Sequence, residues 1–279
     1  MTAAPRWWQW PTVLSLDAPL VGVVWQSALA RVAGVALGWS EIVVLALSIW
    51  LAYAADRWFE GWRVATRDIR TQRHHFYQRH RWPVAALWLL LFAANVVVAF
   101  SRLTSQALMN GAILLVPVLA YVLSHQLVHR HHGWRVPKEL CVAALLAGGA
   151  AVFLRPSAHP VELVISASLF GLLCFANVVL ISLWEREVDR SQGQTSMAID
   201  LDDATGAWAI RQVPWIVAVL GLVLAVESTG ALADVALAAA VSAVLLVVTD
   251  RLERQYGWPL ARVLADVCLL TPLAWLWRG

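Results

Sequence analysis

The chain has 279 residues, of which 60% are hydrophobic and 14% charged, and its mean hydropathy is +0.66. That balance excludes a pair of soluble domains, which the length alone would accommodate, and points to a membrane protein. The net charge of +3 sits in loops between apolar runs, where membrane topology requires it, so it does not argue for nucleic acid as a partner.

Arg6, Trp7, Trp8 and Trp10 precede the first long apolar run. They read as an interfacial anchor, because the short apolar core and small-residue cleavage site of a signal peptide are missing. A spanning helix needs about 20 apolar residues. On that measure the runs predict spans at 17–38, 40–58, 82–101, 106–126, 138–155, 160–184, 207–227, 230–249 and 258–277. Residues 1–279 therefore read as a single all-α membrane domain of nine transmembrane helices. Most of the 17 tryptophans, among them Trp39, Trp58, Trp82, Trp184 and Trp258, fall near span ends, where amphipathic rings favour the headgroup layer. Cys141, Cys174 and Cys268 each lie inside an apolar run without CxxC spacing and read as packing residues.

The connection between the second and third spans carries seven arginines, from Arg57 to Arg81. The positive-inside rule places that side in the cytoplasm, with the N-terminus inside and the chain in the cytoplasmic (inner) membrane. Arg31, within the first span, is expected to pair with Glu41 across the tight outer turn. Asp200, Asp202 and Asp203 read as a solvated knot before the seventh span. For Asp234 and Asp266, inside the last two spans, the sequence suggests no partner.

A short pattern recurs four spans apart. Asp56, Arg57 and Glu60 close the second span, and Glu185, Arg186 and Asp189 close the sixth, an even offset consistent with a parallel duplication. Carboxylates at i and i+4 share a helical face, and both pairs sit at helix C-termini, where the macrodipole and their mutual repulsion are unfavourable. A cation would relieve both. Oxygen ligands alone, from two facing helices, suit Mg²⁺ completed by a diphosphate, with basic side chains taking the remaining phosphate charge. The alternative for each pair is an ordinary interfacial charge balanced by neighbouring arginines.

The run Glu185, Glu187, Asp189, Arg190, Gly193 and Ser196 resembles the second signature of the UbiA superfamily of intramembrane prenyltransferases. Asp56 and Glu60 resemble the last two acids of its first signature, Asn-Asp-x-x-Asp-x-x-x-Asp. The sequence departs from that pattern at Ala52, Tyr53 and Ile181, where the signatures carry Asn, Asp and Asp. The resemblance implies a nine-helix bundle in the lipid bilayer that transfers an isoprenyl group from an isoprenyl diphosphate to an acceptor. It makes Asp56, Glu60, Glu185 and Asp189 the expected catalytic carboxylates and Mg²⁺ ligands. Arg57, Arg190 and Lys138, the last matching a basic position before the fifth helix, become the expected diphosphate contacts, with Arg63, Arg70 and Arg73 as weaker ones. Asn177 lies on one stripe with Ile181, Glu185 and Asp189, so its amide is either a substrate-binding group of the pocket or an interhelical hydrogen bond.

Histidines offer a rival. His125, His129, His131 and His132, with His74, His75 and His80, resemble boxes of membrane di-iron oxidases and hydroxylases, although no histidine follows His159 to make a later box. A third possibility is a catalytically silent membrane protein that keeps the UbiA-like bundle.

Overall fold

The computed structural model describes residues 5–63, 71–123, 137–193 and 195–276, with side chains described within those ranges except at 60–63, 122–123 and 276. The side chain of Glu60 and the histidines His125, His129, His131 and His132 lie outside the described residues.

The described secondary structure is entirely helical. After a 3-10 turn at Trp7–Gln9, α1 (Trp10–Val13) leads into α2 (Asp17–Ala33) and α3 (Trp39–Arg63). Next come the short polar α4 (Gln72–Arg79) and the apolar α5 (Arg81–Arg102), α6 (Ser105–Leu123) and α7 (Lys138–Ala151). The second half holds α8 (Pro160–Trp184), the short α9 (Arg186–Ser191) and α10 (Met197–Asp200), then α11 (Ala204–Glu227), α12 (Gly230–Tyr256), α13 (Trp258–Cys268) and α14 (Leu273–Leu276).

Each of the nine expected spans overlaps a helix, but fewer are long and apolar enough to cross a membrane alone. Among the described residues six qualify: Trp39–Phe59, Arg81–Arg102, Pro160–Trp184, Ala204–Glu227, Gly230–Tyr256 and Trp258–Trp275. A seventh counts if Trp7–Val13 and Asp17–Ala33, bent by 76°, form one span. The expected fifth span is the clearest departure, because α7 has 14 residues and reaches only about 21 Å at helical rise, short of a hydrocarbon core about 30 Å thick.

Helix α8 is the hub, packing against α2, α7, α11, α12 and α13. Its buried residues, from Leu163 to Trp184, lie on more than one face, as a helix enclosed by neighbours requires. Trp25 of α2 stacks on Phe170 of α8 with ring centroids 4.5 Å apart. Its indole N–H donates to the Leu269 carbonyl at 2.8 Å, so the polar edge of the ring is satisfied in the core. Helices α11 and α12 approach closely at Gly221, where a Cβ would lie 2.8 Å from the Ala236 carbonyl oxygen. Small side chains permit such approach where lipid offers no hydrophobic drive between helices.

Two expected charge placements are corrected. Arg31 does not reach Glu41: its Nη1 donates to the Trp275 carbonyl at 2.9 Å, and the Glu41 carboxylate accepts from Ser40 Oγ at 3.0 Å. A guanidinium near a span end finds a free carbonyl at the last helical turn more readily than a carboxylate across a loop. The acidic knot is not simply solvated. Asp203 caps α11 by accepting from the Gly206 N–H at 2.6 Å, and Asp202 pairs with Arg186 and Arg190. At the same end, Asp250 of α12 accepts from the Trp184 indole at 2.9 Å and from Arg211 Nε at 3.0 Å, locking α8, α11 and α12 together.

Candidate functional site

A buried ionic cluster occupies the end of the bundle where α2 and α13 begin and α8 ends. Its position starts with local backbone. Ser15 adopts a left-handed conformation, φ 59°, in the turn between α1 and α2, and this sharp bend seats its hydroxyl among side chains of α3 and α4. Ser15 Oγ and the Thr12 carbonyl each accept from Arg57 Nη1 at 2.6 Å, and the Ser15 and Tyr77 hydroxyls are 2.8 Å apart. Arg57 is buried, and its guanidinium lies 5.8 Å from the Tyr53 ring centroid.

Glu185 is the centre of this network. It follows the last residue of α8 and is 3% exposed, so its charge requires partners. Arg73 of α4 reaches it at 3.0 Å and Arg262 of α13 at 3.1 Å. Burial would push the Glu185 carboxyl up, but the guanidiniums of Arg262 and Arg73 outweigh it, with help from His74, and bring it down to about 2. His74 is itself buried, with Nδ1 2.7 Å from Thr71 Oγ1. Beside it, burial holds the Tyr77 hydroxyl above its ordinary range.

Two turns before Glu185, Asn177 Nδ2 donates to Asp266 Oδ1 at 3.0 Å. The Asp266 side chain is in hydrogen-bonding contact with Asp17, and Asp17 Oδ1 accepts from the Ala18 N–H at 2.9 Å. Arg262 neighbours both aspartates. Asp266, for which the sequence suggested no partner, therefore has two.

Of the expected site residues, the cluster gathers Arg57, Asn177 and Glu185, and Arg73 from the weaker set. Asp189 is buried one turn after Glu185, its N–H donating to the Glu185 carbonyl at 2.9 Å. Asp56 lies on an exposed face of α3. Arg190 is turned toward Asp202 in an exposed ion pair, and this contact with Arg190 draws the Asp202 carboxyl below its ordinary value. Lys138 is half-buried in the first turn of α7, and the next residue, Glu139, accepts from the Met197 N–H at 2.9 Å, tying the segment after α9 to α7.

Sequence reasoning passed over Asp17, Arg262 and Asp266 as site residues. A signal for two of them existed: Arg262 and Asp266 stand at i and i+4 in the last apolar run, and ionisable groups inside a membrane segment mark functional positions by default.

The acidic motifs, as far as they are described, do not fit a resident magnesium ion. Both Glu185 oxygens are engaged by guanidiniums, and among the described residues no three Asp, Glu, His or Cys side chains are grouped as metal ligands.

The arrangement defines a class: a multi-pass, all-α membrane protein with a buried arginine and carboxylate site at one end of an apolar bundle. The chain has the UbiA fold. It is similar over 95% of its length to the apo structure of a UbiA homolog from Aeropyrum pernix K1, covering 98% of that chain, with a TM-score of 0.57 and 15% sequence identity. Neither a protein-family model nor a curated protein matches the sequence.

Proposed function

We propose that this chain is an intramembrane prenyltransferase that takes an isoprenyl diphosphate and transfers the isoprenyl group to an acceptor. The observation that carries the proposal is the convergence of Arg73 and Arg262 on buried Glu185 at one end of an apolar bundle with the UbiA fold. An amphiphile with a long apolar tail and a compact polyanionic head matches that division.

In this reading the tail lies between apolar helices and the diphosphate meets Arg57, Arg73 and Arg262, whose planar donors suit phosphate oxygens. The allylic C–O bond breaks, its electron pair leaves with the diphosphate, and the guanidiniums stabilise the departing charge. The acceptor's nucleophilic atom then bonds to the allylic carbon and loses its proton. Apolar walls keep water from the carbocation. Lys138, Arg190 and the motif acids Asp56 and Asp189 belong to the mouth of the same site. The proposal places that mouth on the cytoplasmic face of the inner membrane, because the arginines between α3 and α5 follow the positive-inside rule. The UbiA fold gives no support to the di-iron alternative.

The test is binding and turnover of geranyl, farnesyl and geranylgeranyl diphosphates by purified protein, with and without Mg²⁺, followed as diphosphate release. Arg73→Gln and Arg262→Gln should each weaken binding by about tenfold or more, the scale of one lost charged contact. Folded wild-type protein that binds none of the three donors would overturn the proposal.

A further inference from the structure

The two signatures that this sequence resembles carry acids where it has Tyr53 and Ile181, and the structure shows what those positions serve instead. The Tyr53 ring centroid lies 5.8 Å from the Arg57 guanidinium, so the ring faces a cation that belongs to the chain. Ile181 stands one turn before Glu185, whose N–H donates to the Ile181 carbonyl at 2.9 Å, and its side chain joins the apolar core. Glu185 itself gives its oxygens to Arg73 and Arg262. Guanidiniums therefore hold the positive charge around the positions where the signatures gather acids.

Charge sets what these guanidiniums can accept. Asp17 and Asp266 touch, and two carboxylates in contact hold a proton between them, so the pair carries one negative charge. With Glu185 that makes two negative charges, set against three positive ones on Arg57, Arg73 and Arg262. The cluster keeps one positive charge, and an uncompensated charge inside a bundle calls for a counter-ion. A second observation has the same sign: Arg262 Nε is buried without a hydrogen-bond partner. What that N–H lacks is an acceptor, which an anion supplies and a metal cation does not.

We infer that the site binds and releases its diphosphate without a divalent cation, with Arg57, Arg73 and Arg262 in place of the Mg²⁺ that the resemblance implies. Each guanidinium stays charged at any physiological pH and presents a planar fork that matches phosphate oxygens. Glu185 keeps Arg73 and Arg262 convergent before the anion arrives, because their like charges would otherwise drive them apart. On the proposed function, which this inference deepens, the electron pair of the broken allylic C–O bond leaves with the diphosphate and falls among donors already in place.

Equilibrium dialysis of the purified full chain against radiolabelled inorganic diphosphate, in EDTA and in Mg²⁺, tests the site without any prenyl substrate. The expected result is one diphosphate per chain in EDTA, with an affinity that Mg²⁺ does not raise. Arg73→Gln and Arg262→Gln should each weaken that metal-free binding by about tenfold or more, the scale of one lost charged contact, while Arg31→Gln, at the far end of α2, should not. Where a glutamine variant does not fold, wild type in EDTA against wild type in Mg²⁺ still decides. Binding that vanishes in EDTA and returns with Mg²⁺, no binding in either condition, or metal-free binding indifferent to both arginines in folded variants would overturn the inference. Turnover of prenyl diphosphates that needs Mg²⁺ keeps the proposed function and loses metal independence. Diphosphate held in EDTA through Arg73 and Arg262, with no turnover of any prenyl diphosphate, does the reverse.

Discussion

Replacing Glu185 by Gln preserves shape and removes one charge from between two largely buried guanidiniums, so it measures what the ionic cluster contributes to stability. The carboxyl sits at about 2 in the folded protein against an ordinary 4.5. That depression corresponds to about 3 kcal/mol of stability when the carboxylate is ionised. Removing one partner of a buried pair leads independently to a cost of about 3–5 kcal/mol, because the remaining charges lose their compensation. At about 2–4 °C per kcal/mol for a large domain, a cost of about 3–5 kcal/mol means that Glu185→Gln should lower Tm in detergent by about 6–20 °C near neutral pH. The folded value is depressed, so the contribution is fully present above the ordinary carboxylate range and is lost as pH falls from 4.5 toward 2. Melting curves of wild type and variant across that range should therefore converge. Arg262→Gln in the Glu185→Gln background should cost less than it does alone, since the two groups act as a pair. A Tm change of a degree or less at neutral pH, or a gap that stays constant down to pH 2, would refute the reasoning and reduce the cluster to a surface-type ion pair worth under about 1 kcal/mol.

Asp203→Ala removes the carboxylate that caps α11 at Gly206 and should cost about 1 kcal/mol, while Asp203→Asn should retain most of it; chemical or thermal melts decide. Topology is tested by single cysteines at Ser191, Arg79 and His159 in a chain lacking Cys141, Cys174 and Cys268. An impermeant thiol reagent should reach Ser191→Cys and Arg79→Cys from the cytoplasmic side and His159→Cys, at the opposite end of α8, from the other. Labelling of Ser191→Cys and Arg79→Cys from different sides would separate α4 from the site it serves.

Hydropathy made the helices legible because apolar runs of spanning length have few other uses. It could not separate a helix that crosses the bilayer alone from one that needs neighbours, and α7 shows the difference. At the site, Glu185 and Asn177 were legible from spacing and resemblance, since both lie on one stripe running along α8 and just past its end. Their partners were not. Arg262 and Asp266 come from α13 and Asp17 from α2, Arg73 of α4 was marked only as one of three weaker loop arginines, and a contact such as Asn177 to Asp266 joins positions 89 residues apart. Sequence shows that an acid lies in a membrane helix but not which helix stands opposite. The same limit explains Arg31, whose nearest acid along the chain was Glu41 but whose acceptor is a carbonyl 244 residues away.

Helix α5 carries a consequence for how this chain can change over time. Within it only Val84 is buried. Its ties to the bundle include the Trp88 indole on the Leu51 carbonyl and the Asn95 amide on Ser48. At its remaining apolar positions the demand is for hydrocarbon solubility, which Leu, Ile, Val and Phe meet almost equally. Selection on α5 is therefore degenerate: among descendants of this sequence its outward positions should exchange freely within the apolar set, while Trp88, Asn95 and the α8 hub stay constant.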